Sequence, residues 1–312
     1  MIIDTNPYSA SRKALRGFFG RFPQVLKIDG YLQTLKDYCC EDEEPECLAV
    51  IGQTGTGKTT LLRTFAKRYP RNEHEHYTEV PVLYLEVPSN CTIKRLAGFM
   101  LQTLGTPFWN HGDEEGRTNQ LLTLLKGCNV RVVILDEVNH LADRGAAKTH
   151  YQIGDWIKQL SRRSGVPIVL AGTPSASILW ETNEQLADRY EVVTVEPLSM
   201  EPHRVRELRS VLMTFQRLMD GLNVVDLTHD KNCRSIVFAT AGRLRDIRKL
   251  LVRAVDIAQS EQSLDITRST LARAFTQVIY PGATPKRNPF DDKFDGLPLT
   301  GAGEPFATRG YR

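Results

Sequence analysis

Hydrophobic and polar positions follow two regimes along the chain. From residue 47 to about 198, short apolar runs recur, each followed by a stretch with helical spacing. The runs are CLAVIG (47–52), VPVLYLEV (80–87), VRVVILDE (130–137), VPIVLAGT (166–173) and EVVTVEPL (191–198). Their length and β-branched content predict strands. Between them lie KTTLLRTFAKRY, TIKRLAGFMLQTL, GRTNQLLTLLKG, HYQIGDWIKQLSRR and SASILWETNEQLADR, which read as helices. Strands alternating with helices predict an α/β fold, a parallel five-stranded sheet in an αβα sandwich. The central runs lack polar alternation, as strands buried on both faces should.

After Pro197 the pattern changes. Residues 202–220, 231–240, 243–260 and 267–279 read as helices with no strand among them. The predicted organisation is an N-terminal arm and helix over 1–46, an α/β core over 47–200, a small all-helical unit over 201–280, and a tail over 281–312. That tail is rich in Pro and Gly without periodicity and is expected to be flexible. The arm is basic (Arg12, Lys13, Arg16, Arg21, Lys27), and the acidic run EDEEPE after its helix reads as a solvated loop.

Composition alters this picture little. The 312 residues are 41% hydrophobic and 25% charged, with a formal net charge of +3. These are ordinary values for a globular protein, and so mild a charge neither requires nor excludes nucleic acid. No apolar stretch is long enough to span a bilayer, and the first residues lack a signal-peptide core, so a soluble, cytoplasmic protein is expected. Cys39, Cys40, Cys47, Cys91, Cys128 and Cys233 form no CxxC pair and fit no zinc template; reduced thiols are expected.

The chemistry concentrates after the first strand. Gly52, Gln53, Thr54, Gly55, Thr56, Gly57, Lys58 and Thr59, with Thr60 beside them, match G-x-x-x-x-G-K-[ST] between a predicted strand and a predicted helix. Glycines let the backbone curl around phosphates, and the helix N-terminus adds its positive end. Lys58 is expected to reach the β- and γ-phosphates of ATP, and the Thr59 hydroxyl to ligate Mg²⁺. Four apolar residues then run into Asp136 and Glu137 at the end of the third strand, where ligands of open parallel sheets bind. Asp136 is placed to hold Mg²⁺ through water, and Glu137 to polarise the attacking water.

A whole strand-helix unit separates the phosphate loop from the acidic pair. That spacing resembles the additional-strand, catalytic-glutamate class of P-loop ATPases. With GQTGTGKTT, PVLYLEVPS followed by TIKRL, LKGCNVRVVILDEVNHL, GVPIVLAGTPSA, NEQLADRYE and a GRL-type lid helix, residues 30–280 resemble the TniB/TnsC family of AAA+ transposition regulators. The resemblance implies an ATPase that forms a homo-oligomeric ring or filament on double-stranded DNA, without sequence preference. It also implies that the oligomer links a TniQ-type targeting protein to a DDE transposase, with hydrolysis driving disassembly. Thr173 would serve as sensor 1. Arg189 would reach the neighbouring subunit's ATP, the bland alternative being a surface arginine paired with Asp188 or Glu191. Arg243 or Arg245 would be the sensor 2 arginine, a choice left open. Lys94, Arg95 and Thr92 would face DNA, with Arg117 a further candidate. Asn139 and His140 follow the acidic pair where family members vary, so no role carries over. An IstB-like helicase loader and a nucleotide-gated scaffold indifferent to DNA are the alternative readings.

Overall fold

The computed structural model describes residues 6–37, 44–142, 147–181 and 189–307. Its sheet strands are β1 Cys47–Gly52, β2 Val82–Glu86, β3 Val132–Asp136, β4 Ile168–Gly172 and β5 Tyr190–Val195. All pair in parallel, in the order β2-β3-β4-β1-β5. The longer helices are α1 Pro7–Gly17, α2 Pro23–Asp37, α3 Lys58–Lys67, α4 Ile93–Leu104, α5 Glu114–Gly127 and α6 Ala147–Ser164. They continue as α7 Val205–Arg217, α8 Asp230–Thr240, α9 Leu244–Ser260 and α10 Arg268–Val278. β2 and β4 start later than the apolar runs that announced them, because Pro81 and Pro167 lack the N–H a ladder needs.

Contacts divide the chain into two compact units. Gln24–Thr54 and Lys58–Glu196 form the first; the chain up to Pro23, Gly55–Gly57 and everything from Pro197 form the second. In the first, side chains of one parity along the strands, such as Ala49, Leu83, Val133, Leu135 and Leu170, pack under Leu96, Met100 and Leu101 of α4, Leu121 and Leu125 of α5, and Ile157 and Leu160 of α6. Residues of the other parity, Leu48, Val50, Ile134 and Val169, are equally buried and face the opposite way. α3 covers that face with Leu61, Leu62 and Phe65, and α2 ties to it through Asp29, which pairs with Arg68. The result is an α/β sandwich in which strand β1, between β4 and β5, is buried along its whole length. The helix expected over 175–189 is a 3-10 turn, Pro174–Ser177, leading into Ile178–Glu181; the remainder up to residue 188 lies outside the described residues.

The second unit is helical and discontinuous in sequence. α1 lies along α9: Leu15 is fully buried, Arg12 sits 3.2 Å from Asp256, and the Tyr8 hydroxyl donates to the Ser263 carbonyl at 3.2 Å. Residues 1–46 therefore do not stand as one arm, since α1 packs here and α2 packs with the sheet. Its core draws on the apolar stripes of α7 (Leu208, Leu212, Phe215) and α9 (Ile247, Leu250, Leu251, Ala254). A two-residue parallel pairing of Asn223–Val224 with Asp265–Ile266 also occurs, too short to show as periodicity in the sequence.

The flexible tail expected over 281–312 is corrected for its described part. Phe290 and Leu299 are buried, the Asn288 amide donates to the Ala272 carbonyl at 3.0 Å, and Arg287 bonds Asp295 and Glu304. Two apolar anchors and a shared arginine hold what composition alone left unstructured. Cys47, Cys91, Cys128 and Cys233 are buried free thiols, while Cys39 and Cys40 fall outside the described residues. Among the described residues no helix is long and apolar enough to cross a membrane.

Candidate functional site

The phosphate-loop motif begins where β1 ends. Gly52 stands so close to β5 that a Cβ would lie 2.3 Å from the Val195 carbonyl oxygen, which excludes any side chain. Gly55 and Gly57 have φ of 88° and 104°, conformations that side chains strain. α3 then starts at Lys58. The Lys58 side chain is buried, and its ammonium donates to the carbonyls of Gly52 at 2.6 Å and Gln53 at 3.1 Å. Burial pushes its pKa down, while Glu137 and Asp136 act in the opposite sense. Thr56 is buried, Thr59 is half-buried, and Gln53, Thr54 and Thr60 are exposed.

The acidic pair ends β3. Asp136 is fully buried; its Oδ1 accepts the Glu137 backbone N–H and its Oδ2 accepts the Tyr84 hydroxyl, both at 2.9 Å. Glu137 has φ of 57°, a left-handed conformation costing a non-glycine residue on the order of 1 kcal/mol. That turn takes the chain off the strand axis and leaves the glutamate half-exposed. Val138 then donates to the Ala171 carbonyl of β4 at 2.9 Å, which locks the turn. Thr173, just past β4, places its hydroxyl 2.9 Å from that of Ser175 and donates its backbone N–H to Asn139 Oδ1 at 3.4 Å.

β3, β4 and β1 are consecutive in the sheet, so Asp136, Glu137, Thr173, Gly52 and Lys58 gather at the carboxyl ends of three adjacent strands. A buried ammonium, a glycine-built turn and two carboxyl groups at one edge suit a triphosphate with a divalent cation. Among the described residues no group of three or more His, Cys, Asp or Glu side chains could hold a metal ion. A cation here would therefore share its ligands between the Thr59 hydroxyl, Asp136, water and phosphate.

Arg189 lies at the other end of the sheet. Its backbone carbonyl accepts from Cys47, the first residue of β1, and β5 runs from Tyr190 beside Cys47 to Val195 beside Gly52. The six residues of β5, about 20 Å at roughly 3.3 Å each, separate Arg189 from the phosphate loop of its own chain. Its guanidinium pairs with Glu44, which also meets Arg162 at 3.4 Å. The hydrogen bond from Arg189 holds the Glu44 carboxyl below the usual glutamate pKa. Arg189 Nη1 is buried with no hydrogen-bond partner among the described residues. The partner is thus Glu44, rather than Glu191; Asp188 is outside the described residues.

The family described as Bacterial TniB protein matches residues 14–200, more than half of the chain. This chain belongs to the TniB family. No curated protein matches it in sequence. Among solved structures it is similar to Cdc6p of Pyrobaculum aerophilum (TM-score 0.62, 15% identity, 88% of this chain and 72% of that one). The ORC2 protein of Aeropyrum pernix in its ADPNP-ADP complexes gives a TM-score of 0.60 at 14% identity, over 88% and 72% of the two chains. The ORC1 protein of the same organism, in complex with DNA, gives 0.58 at 17% identity, over 86% and 69%. These likenesses show that this TniB-family chain shares its fold with those proteins.

Within the second unit of this TniB protein, the two lid arginines differ in surroundings. The Arg245 backbone N–H donates to the Gly55 carbonyl at 3.1 Å, and its exposed guanidinium lies beside Gly55 and 3.5 Å from Asp246. Arg243 instead lies under the Phe306 ring, 5.0 Å from its centroid.

The basic residues assigned to DNA separate as well. Thr92 caps α4, its hydroxyl accepting the Arg95 N–H at 3.3 Å. Lys94 and Arg95 are exposed on the first turn, Arg95 donating to the Asn90 carbonyl at 3.1 Å and lying over Phe99. Arg117 is corrected. It is buried, donating to the carbonyls of His111 and Lys94 at 3.1 Å each and to that of Asn110. Each of its three guanidinium nitrogens donates to a backbone oxygen, which pins the 110–111 loop to α4 and makes this arginine part of the scaffold. Sequence reasoning missed Tyr84, Arg63, Glu44 and Asn139. A tyrosine two residues before the end of the second strand was the available signal for the first of these.

Proposed function

We propose that this TniB-family protein is an ATP-hydrolysing regulator of DNA transposition that assembles on duplex DNA and links a TniQ-type targeting protein to a DDE transposase. Residues Gly52–Thr60 would grip the phosphates, with Lys58 neutralising them. Thr59 and Asp136 would hold Mg²⁺, and Arg245, beside Gly55, is the better placed of the two sensor 2 candidates. When bound, ATP with Mg²⁺ supplies the terminal phosphoryl group that passes to water. Glu137 would orient that water and take its proton, and Thr173 would sense the γ-phosphate from the end of β4. Exposed Lys94 and Arg95, with the capped start of α4 at Thr92, offer a sequence-tolerant phosphate contact. The Aeropyrum pernix relatives in complex with DNA and with ADPNP and ADP lend support by analogy.

One observation carries the assembly. Arg189 sits at the amino end of β5, a strand's length from its own chain's phosphate loop, which supports its use at the phosphate loop of a second copy. The test is imaging with a slowly hydrolysed ATP analogue and unrelated duplex DNA. Wild type should form rings or filaments on DNA only with nucleotide. Lys58→Ala should form none, and Glu137→Gln should form them with ATP itself and hold them. Single particles under every condition would refute the proposal.

A further inference from the structure

A buried carboxylate needs donors for its lone pairs. Asp136 has two, the Glu137 backbone N–H on Oδ1 and the Tyr84 hydroxyl on Oδ2. The second follows from sheet register. Tyr84 pairs with Ile134 and Glu86 with Asp136, so Tyr84, Glu86 and Asp136 share one face of the sheet. α3 covers that face, and its Arg63 donates from Nε to the Tyr84 oxygen at 3.2 Å and from Nη2 to Glu86. An arginine can only donate, so the phenol oxygen accepts from Arg63 and its single proton remains for Asp136.

We propose that Tyr84 is a positioning residue for the metal-holding carboxylate. Its hydroxyl, oriented by Arg63, fixes the rotation of Asp136 so that the remaining lone pairs face a divalent cation. The inference rests on the nucleotide-site reading above. A merely structural tyrosine would act through its ring, packed between α3 and the sheet, and Tyr84→Phe preserves that ring while removing only the proton donor.

The experiment titrates Mg²⁺ against binding of a fluorescent ADP analogue to the full chain, with a parallel measurement in EDTA. Hydrogen-bond partners of metal ligands typically contribute about 10–100-fold in metal affinity. Tyr84→Phe should raise the Mg²⁺ midpoint by about 10-fold or more. Its affinity in EDTA should stay within about twofold of wild type, and Mn²⁺, the stronger binder, should need less metal than Mg²⁺. A midpoint within about twofold of wild type overturns the proposal, as does an equal loss of affinity with and without metal. If Tyr84→Phe fails to fold by circular dichroism, Arg63→Met decides. Arg63 is half-exposed, and its loss frees the phenol proton to turn away. A midpoint shift of about threefold supports the role of Tyr84, and none overturns it. Wild-type protein without nucleotide affinity would instead overturn the site reading, and this inference with it.

Discussion

Arg189 already has a carboxylate partner, so any action on a neighbouring phosphate must compete with Glu44. Two opposite outcomes are expected from that contest. Arg189→Ala should leave ATP affinity of the dilute protein unchanged and lower steady-state phosphate release on DNA by roughly 10³-fold, the usual worth of an arginine finger. Glu44→Gln should raise release on DNA, because the guanidinium is no longer held at home. Equal rates for Glu44→Gln and wild type would separate the ion pair from hydrolysis. The same pairing has a pH sense. Its stabilisation is complete above the ordinary glutamate pKa and is lost as pH falls through the lowered value. At this scale the sequence was unevenly legible. Lys58 and Asp136 announce themselves because phosphate chemistry demands those residue types at that spacing. Tyr84 and Glu44 do not, because each meets its partner through register or loop placement that no local pattern encodes.

The strands were legible because doubly buried parallel strands must be continuous apolar runs. Two of their starts shift because Pro81 and Pro167 forbid a ladder bond, while β3 starts at Val132 and β5 at Tyr190 with no proline involved. Helix α4 and the loop before α5 show the opposite case. Arg117 looked like a surface cation before a helix, yet its three bonds to carbonyls near α4 make it part of the scaffold. Replacing it with methionine should cost roughly 3 kcal/mol, since charged hydrogen bonds are lost and carbonyls are left unpaired. Urea unfolding measures this directly. If stability is unchanged and DNA affinity falls instead, Arg117 belongs to the DNA surface after all. The segment 281–307 was illegible for a related reason. Its order comes from the burial of Phe290 and Leu299 and from Arg287 tying Asp295 to Glu304 within the segment, and none of that appears as periodicity.

For the molecule as a whole, the proposed assembly on DNA implies an affinity that is chiefly electrostatic and shared among copies. Lys94→Ala should reduce the slope of log affinity against log salt by about 1 per engaged subunit contact, without changing sequence preference. Binding isotherms at several salt concentrations report this, and an unaltered slope would remove Lys94 from the contact. The alternation of strands and helices exposed the α/β unit in the sequence, but could not reveal that the second unit takes α1 from the far end of the chain. Labelling studies inherit that topology. A dye attached at exposed Lys13 would report on α9, some 240 positions downstream, rather than on strand β1, which is nearer to it in sequence.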